Sequence, residues 1–195
     1  MKLGFDIDNV ISDFNGALMK EYLAHDKEIN GGGIVNADAW YITRGMFSWP
    51  QDEVQRFYDD NIERIARDLP VIDGAREGIA RLRREGHEIY LITGRDNGEY
   101  SDPRRMTEEW LKRSGIEYDG IFYTNAYKNE QHGKAEICLE NGIELMIDDS
   151  PHICRDCIEK GVPTVIVDTP FNRTDEFERV YGWEEILNYI KGFTL

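Results

Sequence analysis

The sequence predicts an α/β fold: a three-layer, doubly wound parallel sheet with a small helical cap inserted after the first strand. Three observations predict it. Short runs rich in Ile, Val and Tyr alternate with amphipathic stretches along the chain. Gly, Pro or Asp bound the runs, as expected of buried strands. From the first run to the second is roughly 80 residues, where a strand–helix–strand crossover needs only about 30.

The strand candidates are "KLGFDI" from Lys2, "HEIYLIT" at 87–93, "GIFYT" at 120–124, "IELMIDD" at 143–149 and "PTVIVD" at 163–168. Helices are expected between them. "AREGIARLRREG" places Ile79 and Leu82 on one face and stops at Gly86. "PRRMTEEWLKRSG" opens with Pro103, buries Met106, Trp110 and Leu111, and stops at Gly115. Proline at the start and glycine at the end are normal helix punctuation; "PHICRDCIEKG" repeats the layout.

The long first connection holds "FNGALMKEYLAHD", with Phe14, Leu18 and Tyr22 at helical spacing. A Gly-rich loop and "AWYITRGMFSW" follow, then a second helix with Val54, Phe57, Tyr58, Ile62, Ile65 and Leu69 on one face. We therefore expect residues 1–14 and 71–195 to form the α/β core and residues 15–70 the cap.

Length and charge bound the function. At 195 residues the chain fits one domain, with 23 Lys and Arg against 38 Asp and Glu and a net charge of −15. That field disfavours nucleic acid polymers and anionic membranes. It allows a small phosphorylated substrate if local cations or a metal offset it. No run approaches the ~18 apolar residues that cross a bilayer, and Lys2 is followed by acids rather than by a signal-peptide pattern. Three cysteines is an odd number, which points to a reducing compartment, the cytoplasm.

Ligands of open α/β sheets bind beyond the carboxyl ends of the strands. There the sequence places Asp6 and Asp8, then Thr93, Gly94 and Arg95, then Asp148 and Asp149. Lys134 sits near the start of the helix that feeds the fourth strand. Any single aspartate is explained as a turn or cap residue. Four together would repel one another in a low-dielectric cleft unless a cation joined them, and oxygen ligands beside a phosphate point to Mg²⁺.

"DIDNV", "LITGR", Lys134 and "MIDDSP", in that order, resemble the four motifs of the haloacid dehalogenase superfamily. "DIDNVISDF" is similar to the Asp-Met-Asp-Gly-Val-Leu-Ala-Asp-Phe motif of its 5'(3')-deoxyribonucleotidase branch. The resemblance implies a Mg²⁺-dependent phosphatase of small phosphomonoesters, 5'-nucleotidase-like, acting through an aspartyl-phosphate. Asp6 would be the nucleophile and Asp8 the general acid and base. Thr93, Gly94 and Lys134 would hold the phosphoryl oxygens. Asp6, the Asp8 backbone carbonyl and Asp148 would hold the metal. Asp149 points the other way on an ideal strand, so it would act through water or as an orienting group. The aromatic matching Phe14 helps to enclose the base in that branch; Trp40, Tyr41, Phe47 and Trp49 are cap candidates for the same work, with a cap core as their other reading. Arg95 would contact phosphate or base, or pair with an acid. One departure stands out: Asn9 occupies a position where the superfamily usually has glycine.

Other readings stay open at this stage. The substrate could be a sugar phosphate or another metabolite. A non-catalytic phosphate-binding protein would not need Asp8. Cys154 and Cys157 lie one helical turn apart, and a zinc site would need Cys138 or His152 in addition. His132 reads as a loop histidine, and the "GGG" at 31–33 lacks the ending of a nucleotide P-loop.

Overall fold

The computed structural model describes residues 1–96, 98–124, 133–173 and 175–193. The strands are β1 (Lys2–Phe5), β2 (Glu88–Thr93), β3 (Gly120–Tyr123), β4 (Leu145–Asp148), β5 (Thr164–Val167) and β6 (Arg179–Val180). The helices are α1 (Phe14–Glu28), α2 (Gln51–Arg67), α3 (Ala75–Arg84), α4 (Pro103–Ser114), α5 (Lys134–Asn141), α6 (Pro151–Glu159) and α7 (Trp183–Gly192). The strands form one sheet in the order β3-β2-β1-β4-β5-β6, every described pairing parallel.

Side-chain alternation along the strands builds two hydrophobic layers. Leu145 and Ile147 of β4, with Leu3, Phe5, Ile89 and Leu91, face α1, α3, α4 and α7. Met146 and Ile92 face the opposite way, onto Ala135, Ile137 and Cys138 of α5 and Ile153 and Cys157 of α6. Helices thus cover both faces, as the alternation of runs predicts. Two elements, β6 and α7, have no counterpart in the sequence reading.

Local chemistry sets the helix ends. Asp13 caps α1 by accepting the Gly16 N–H at 2.9 Å, and Asp102 accepts the Arg105 N–H at 3.3 Å ahead of Pro103. Gly115 ends α4 with φ 67°, a left-handed conformation that glycine adopts without strain.

The long first connection holds α1 and α2. The chain leaves and re-enters the sheet region through adjacent backbones: Asp13 N–H donates to the Pro70 carbonyl at 2.8 Å, and Ile72 N–H to that of Ile11 at 2.8 Å. Between the helices lies an aromatic cluster. Tyr22 stacks on Trp49 at 5.4 Å and meets Phe57 edge-on at 4.9 Å, and its hydroxyl donates to the Val54 carbonyl at 2.9 Å. Trp110 of α4 donates its indole N–H to the Leu69 carbonyl at 2.8 Å, tying the end of this connection to the sheet-covering helices.

Asp119, just before β3, accepts the Ile89 N–H at 2.8 Å and an Arg83 N–H at 2.6 Å. Burial raises its pKa, but these two bonds outweigh that and hold it below the ordinary 3.8. A depressed folded-state pKa means stability that is complete above 3.8 and is lost as pH falls through the lower folded value. Asp119→Asn is therefore expected to melt below the native protein at pH 7. The gap between the two thermal midpoints should narrow as pH drops below 3.8. Among the described residues no helix is long and apolar enough to cross a membrane.

Candidate active site

β1 sits at the centre of the sheet, with β2 on one side and β4 on the other. The strand order reverses there, so the following helices depart on opposite faces and leave a crevice at the carboxyl ends. The chain beyond Phe5 fills its floor. Asp6 N–H still pairs with the Ile147 carbonyl at 2.9 Å. The backbone then closes a tight loop, with Ile11 and Ser12 N–H both on the Ile7 carbonyl and Asn9 N–H on that of Ser12. Asn9 holds the loop at φ 62°, a conformation that asparagine tolerates better than most residues.

Lys134, first residue of α5, places its ammonium 2.6 Å from Asp6 Oδ1 and 2.7 Å from Asp148 Oδ2. All three side chains are buried. Asp148 ends β4 and also accepts the Ser150 N–H at 2.9 Å. Asp149 lies just past the strand end, where alternation no longer dictates direction. Its carboxylate turns inward, and oxygens of Asp6, Asp148 and Asp149 lie within 4.8 Å of one another. The strand-based expectation that Asp149 points away is thus corrected. Asn9 Nδ2 donates to Asp149 Oδ2 at 2.9 Å, and Asn172 Nδ2 to its backbone carbonyl at 2.7 Å.

The electrostatics follow from crowding. Burial, opposed by Lys134 and aided by Asp148 and Asp8, pushes Asp6 up to about 7. Burial with Asp148 and Asp6 beside it holds Asp149 well above the carboxylate range. Burial works against the charge on Lys134, yet Asp148 and Asp6 together hold it above the ordinary lysine value. Three crowded carboxyl groups with one ammonium between two of them leave the pocket short of positive charge.

Asp8 has a different setting. Arg95 Nε and Nη2 reach its two oxygens at 2.9 and 2.5 Å, and Ser12 Oγ donates to Oδ1 at 2.8 Å. Burial would raise its pKa, but Arg95 overrides that and holds it below the carboxylate range. Of the roles expected for Arg95, pairing with an acid is present: its side-chain bonds go to Asp8 and Ser12. Thr93 ends β2, fully buried, and its Oγ1 accepts the Arg95 N–H at 3.3 Å.

Asp6, Asp8, Gly94, Lys134, Asp148 and Asp149 line one cavity of about 890 Å³. Phe14, Trp40, Tyr41 and Arg95 line it too. Phe47 and Trp49 do not. Both are buried in the cluster around Tyr22, and the Trp49 indole N–H donates to Asp26 at 2.6 Å. Of the four aromatics named between α1 and α2, these two belong to that cluster and not to the cavity wall. The sequence reading missed Asn15, Tyr58, Tyr100, Phe171 and Asn172 among the lining residues. Phe171 and Asn172 follow β5, so extending the strand-end rule by one strand would have found them. Tyr41 packs edge-on against Phe171 at 5.1 Å and donates to Asn15 Oδ1 at 3.1 Å. His132 lies outside the described residues. The three cysteines are free and buried, with Cys138 and Cys157 in the apolar layer under α5 and α6.

The comparisons with known proteins agree with this geometry. In structure, the chain is similar to a haloacid dehalogenase-like family hydrolase from Streptococcus pneumoniae, with a TM-score of 0.62 at 14% identity over 97% of each chain. In sequence, it is 27% identical to a protein of Oceanobacillus iheyensis that bears the name of a nucleotidase, over 96% of this chain and 97% of that one. It is 25% identical to one of Chlorobaculum tepidum named for 5'(3')-deoxyribonucleotidase activity, over 98% and 90%. Fold and relatives together define the class: a nucleotidase-like phosphomonoesterase on a haloacid dehalogenase-type fold. Within that class the chain belongs to the family described as 5' nucleotidase, deoxy (pyrimidine), cytosolic type C protein, whose model matches residues 1–193.

Proposed function

We propose that the protein is a Mg²⁺-dependent, cytoplasmic phosphatase that hydrolyses a nucleoside monophosphate through an aspartyl-phosphate on Asp6. The observation that carries this is the convergence of Asp6, Asp148 and Asp149 on one point, with Lys134 bridging two of them. An all-oxygen donor set short of positive charge fits a hard divalent cation. Asp6, Asp148 and Asp149 would hold it, with the Asp8 backbone carbonyl. When bound, the ion would neutralise phosphoryl charge and let an anionic nucleophile approach an anionic ester.

The rest is the work of the chain's own residues. Asp6 attacks phosphorus, and the P–O bond to the nucleoside breaks. Asp8 gives the departing oxygen its proton, then takes one from the water that hydrolyses the aspartyl-phosphate. Arg95 holds Asp8 ionised before substrate enters. A phosphomonoester loses its second proton near pH 6, so the monoanion can deliver the proton that Asp8 passes on. Two of the three Lys134 donors are engaged by Asp6 and Asp148, which leaves one for a phosphoryl oxygen. Gly94 lines that side of the pocket, and Thr93, buried behind it, ties its Oγ1 to the Arg95 N–H.

Residues 15–70, acting as the cap, supply Asn15, Trp40, Tyr41 and Tyr58 to the cavity, and Phe14 and Phe171 add two more rings. Aromatic walls suit a flat base, and stacking contributes about 1–3 kcal/mol per base. Nucleoside monophosphates are therefore expected to exceed sugar phosphates in kcat/KM by about 10-fold. The test is phosphate release from a panel of both ester types, with Mg²⁺ and after chelation. Release should stop on chelation and return with Mg²⁺. Undiminished turnover in chelator would defeat the metal assignment, and a sugar phosphate at the head of the ranking would defeat the substrate assignment.

A further inference from the structure

We propose that Arg95 is a positioning residue for the proton transfer, fixing the Asp8 carboxylate so that Oδ2 is the atom that exchanges a proton with substrate. The proposal rests on the phosphatase reading above, with Asp8 as proton donor.

Three observations support it. First, the contact is a two-pronged fork. Nε reaches Oδ2 at 2.9 Å and Nη2 reaches Oδ1 at 2.5 Å, between residues 87 positions apart in the chain. Such a pairing fixes both the plane and the direction of a carboxylate, which a single ammonium cannot do.

Second, the two oxygens of Asp8 are unequally used. Oδ1 accepts from both Arg95 Nη2 and Ser12 Oγ, whereas Oδ2 accepts from Arg95 Nε alone among the described residues. Each carboxylate oxygen accepts about two hydrogen bonds. The remaining capacity is therefore on Oδ2, in a side chain that lines the cavity.

Third, Arg95 is held as a part that must not move. It is 2% exposed, its guanidinium lies 5.5 Å over the Trp110 ring, and its backbone N–H is tied to Thr93 Oγ1. Nη1 is buried without a hydrogen-bond partner. A buried cation with an unmet donor is a poor device for stability, which argues that the fork is kept for what it does to Asp8.

The test compares two esters by kcat/KM, which counts steps only through departure of the alcohol. A nucleoside leaves as an alkoxide unless it is protonated; p-nitrophenolate leaves without a proton. Arg95→Lys keeps the charge and removes the fork. It is expected to lower kcat/KM about 10²-fold for the nucleoside monophosphate and only a few-fold for p-nitrophenyl phosphate. Inhibition by inorganic phosphate should be unchanged. Ser12→Ala, a smaller change at the same carboxylate, should shift the two esters in the same sense by less, and it decides the matter if the lysine variant does not fold.

Equal losses for both esters would make Arg95 merely structural. Weakened phosphate inhibition would make it a phosphate ligand. Either outcome overturns the proposal. Asp8→Asn is the reference: if that variant also lost both esters equally, the fault would lie with Asp8 as donor and not with Arg95.

Discussion

Replacing Asp6 by Asn is expected to lower turnover by on the order of 10⁴-fold or more, since in the proposed mechanism Asp6 accepts the phosphoryl group. The fold should survive. Asp6 is 7% exposed and shares its surroundings with Asp148 and Asp8, so burial pushes its pKa up to about 7. A carboxyl whose folded-state value exceeds its free value of 3.8 stabilises the folded state only while it stays protonated. That stability is complete below 3.8 and is lost as pH rises through about 7. Asparagine has the same shape and no such dependence, and Lys134 keeps Asp148 as a partner. In chelator, the thermal midpoint of the variant should therefore gain on the native protein between pH 4 and pH 8. Two measurements settle it: phosphate release with Mg²⁺, and melting curves in chelator across that range. Full activity in the variant would remove Asp6 from the nucleophile's role.

Much of this fold was legible because its signals are local. Buried parallel strands read as short apolar runs, and Pro103 and Gly115 bracket α4 by backbone chemistry that neighbouring residues alone decide. β6 escaped because it is two residues long, and a two-residue strand has no period to detect. α7 escaped for another reason: it follows a polar stretch with no strand of the expected length, so the alternation that exposed the other helices had run out.

The site divides in the same way. Asp6, Asp8, Thr93 and Asp148 were legible as neighbours because strand ends fix their place and topology brings strand ends together; Lys134 joins them from the start of α5. The residues between α1 and α2 were not. Trp40 and Trp49 are the same residue type nine positions apart, yet one is 75% exposed at the cavity and the other is buried against Tyr22. What separates them is Asp26 of α1, which accepts the Trp49 indole N–H. Asp149 shows the limit of periodicity: the alternation holds up to Asp148, where β4 stops, and one residue later the backbone turns.

α7, unseen in the sequence, carries the prediction with the largest effect on stability. Trp183 opens that helix at 3% exposure. Its ring stacks on Phe5 at 5.5 Å, and its indole N–H donates to the Val10 carbonyl at 2.8 Å. Val10 lies between Asp8 and Ser12, so the same ring supports the end of β1 and the back of the loop that carries Asp6 and Asp8. The packing is close enough that a Cβ on Gly78 of α3 would fall 2.4 Å from Trp183 Cε3. Trp183→Ala opens a large cavity there and is expected to cost about 3–5 kcal/mol. That is a large share of the roughly 5–15 kcal/mol that stabilises a typical domain. Trp183→Phe keeps a ring against Phe5 but leaves the Val10 carbonyl unmet, at about 1–3 kcal/mol. Urea unfolding measures both. If the phenylalanine variant also loses kcat/KM for p-nitrophenyl phosphate and for a nucleoside monophosphate by the same factor, the Val10 contact acts by holding the whole Asp6–Asp8 loop in place. A loss confined to stability would show that the loop keeps its shape through its own turn, with Asn9 at φ 62° and the paired bonds to the Ile7 carbonyl sufficient to hold it.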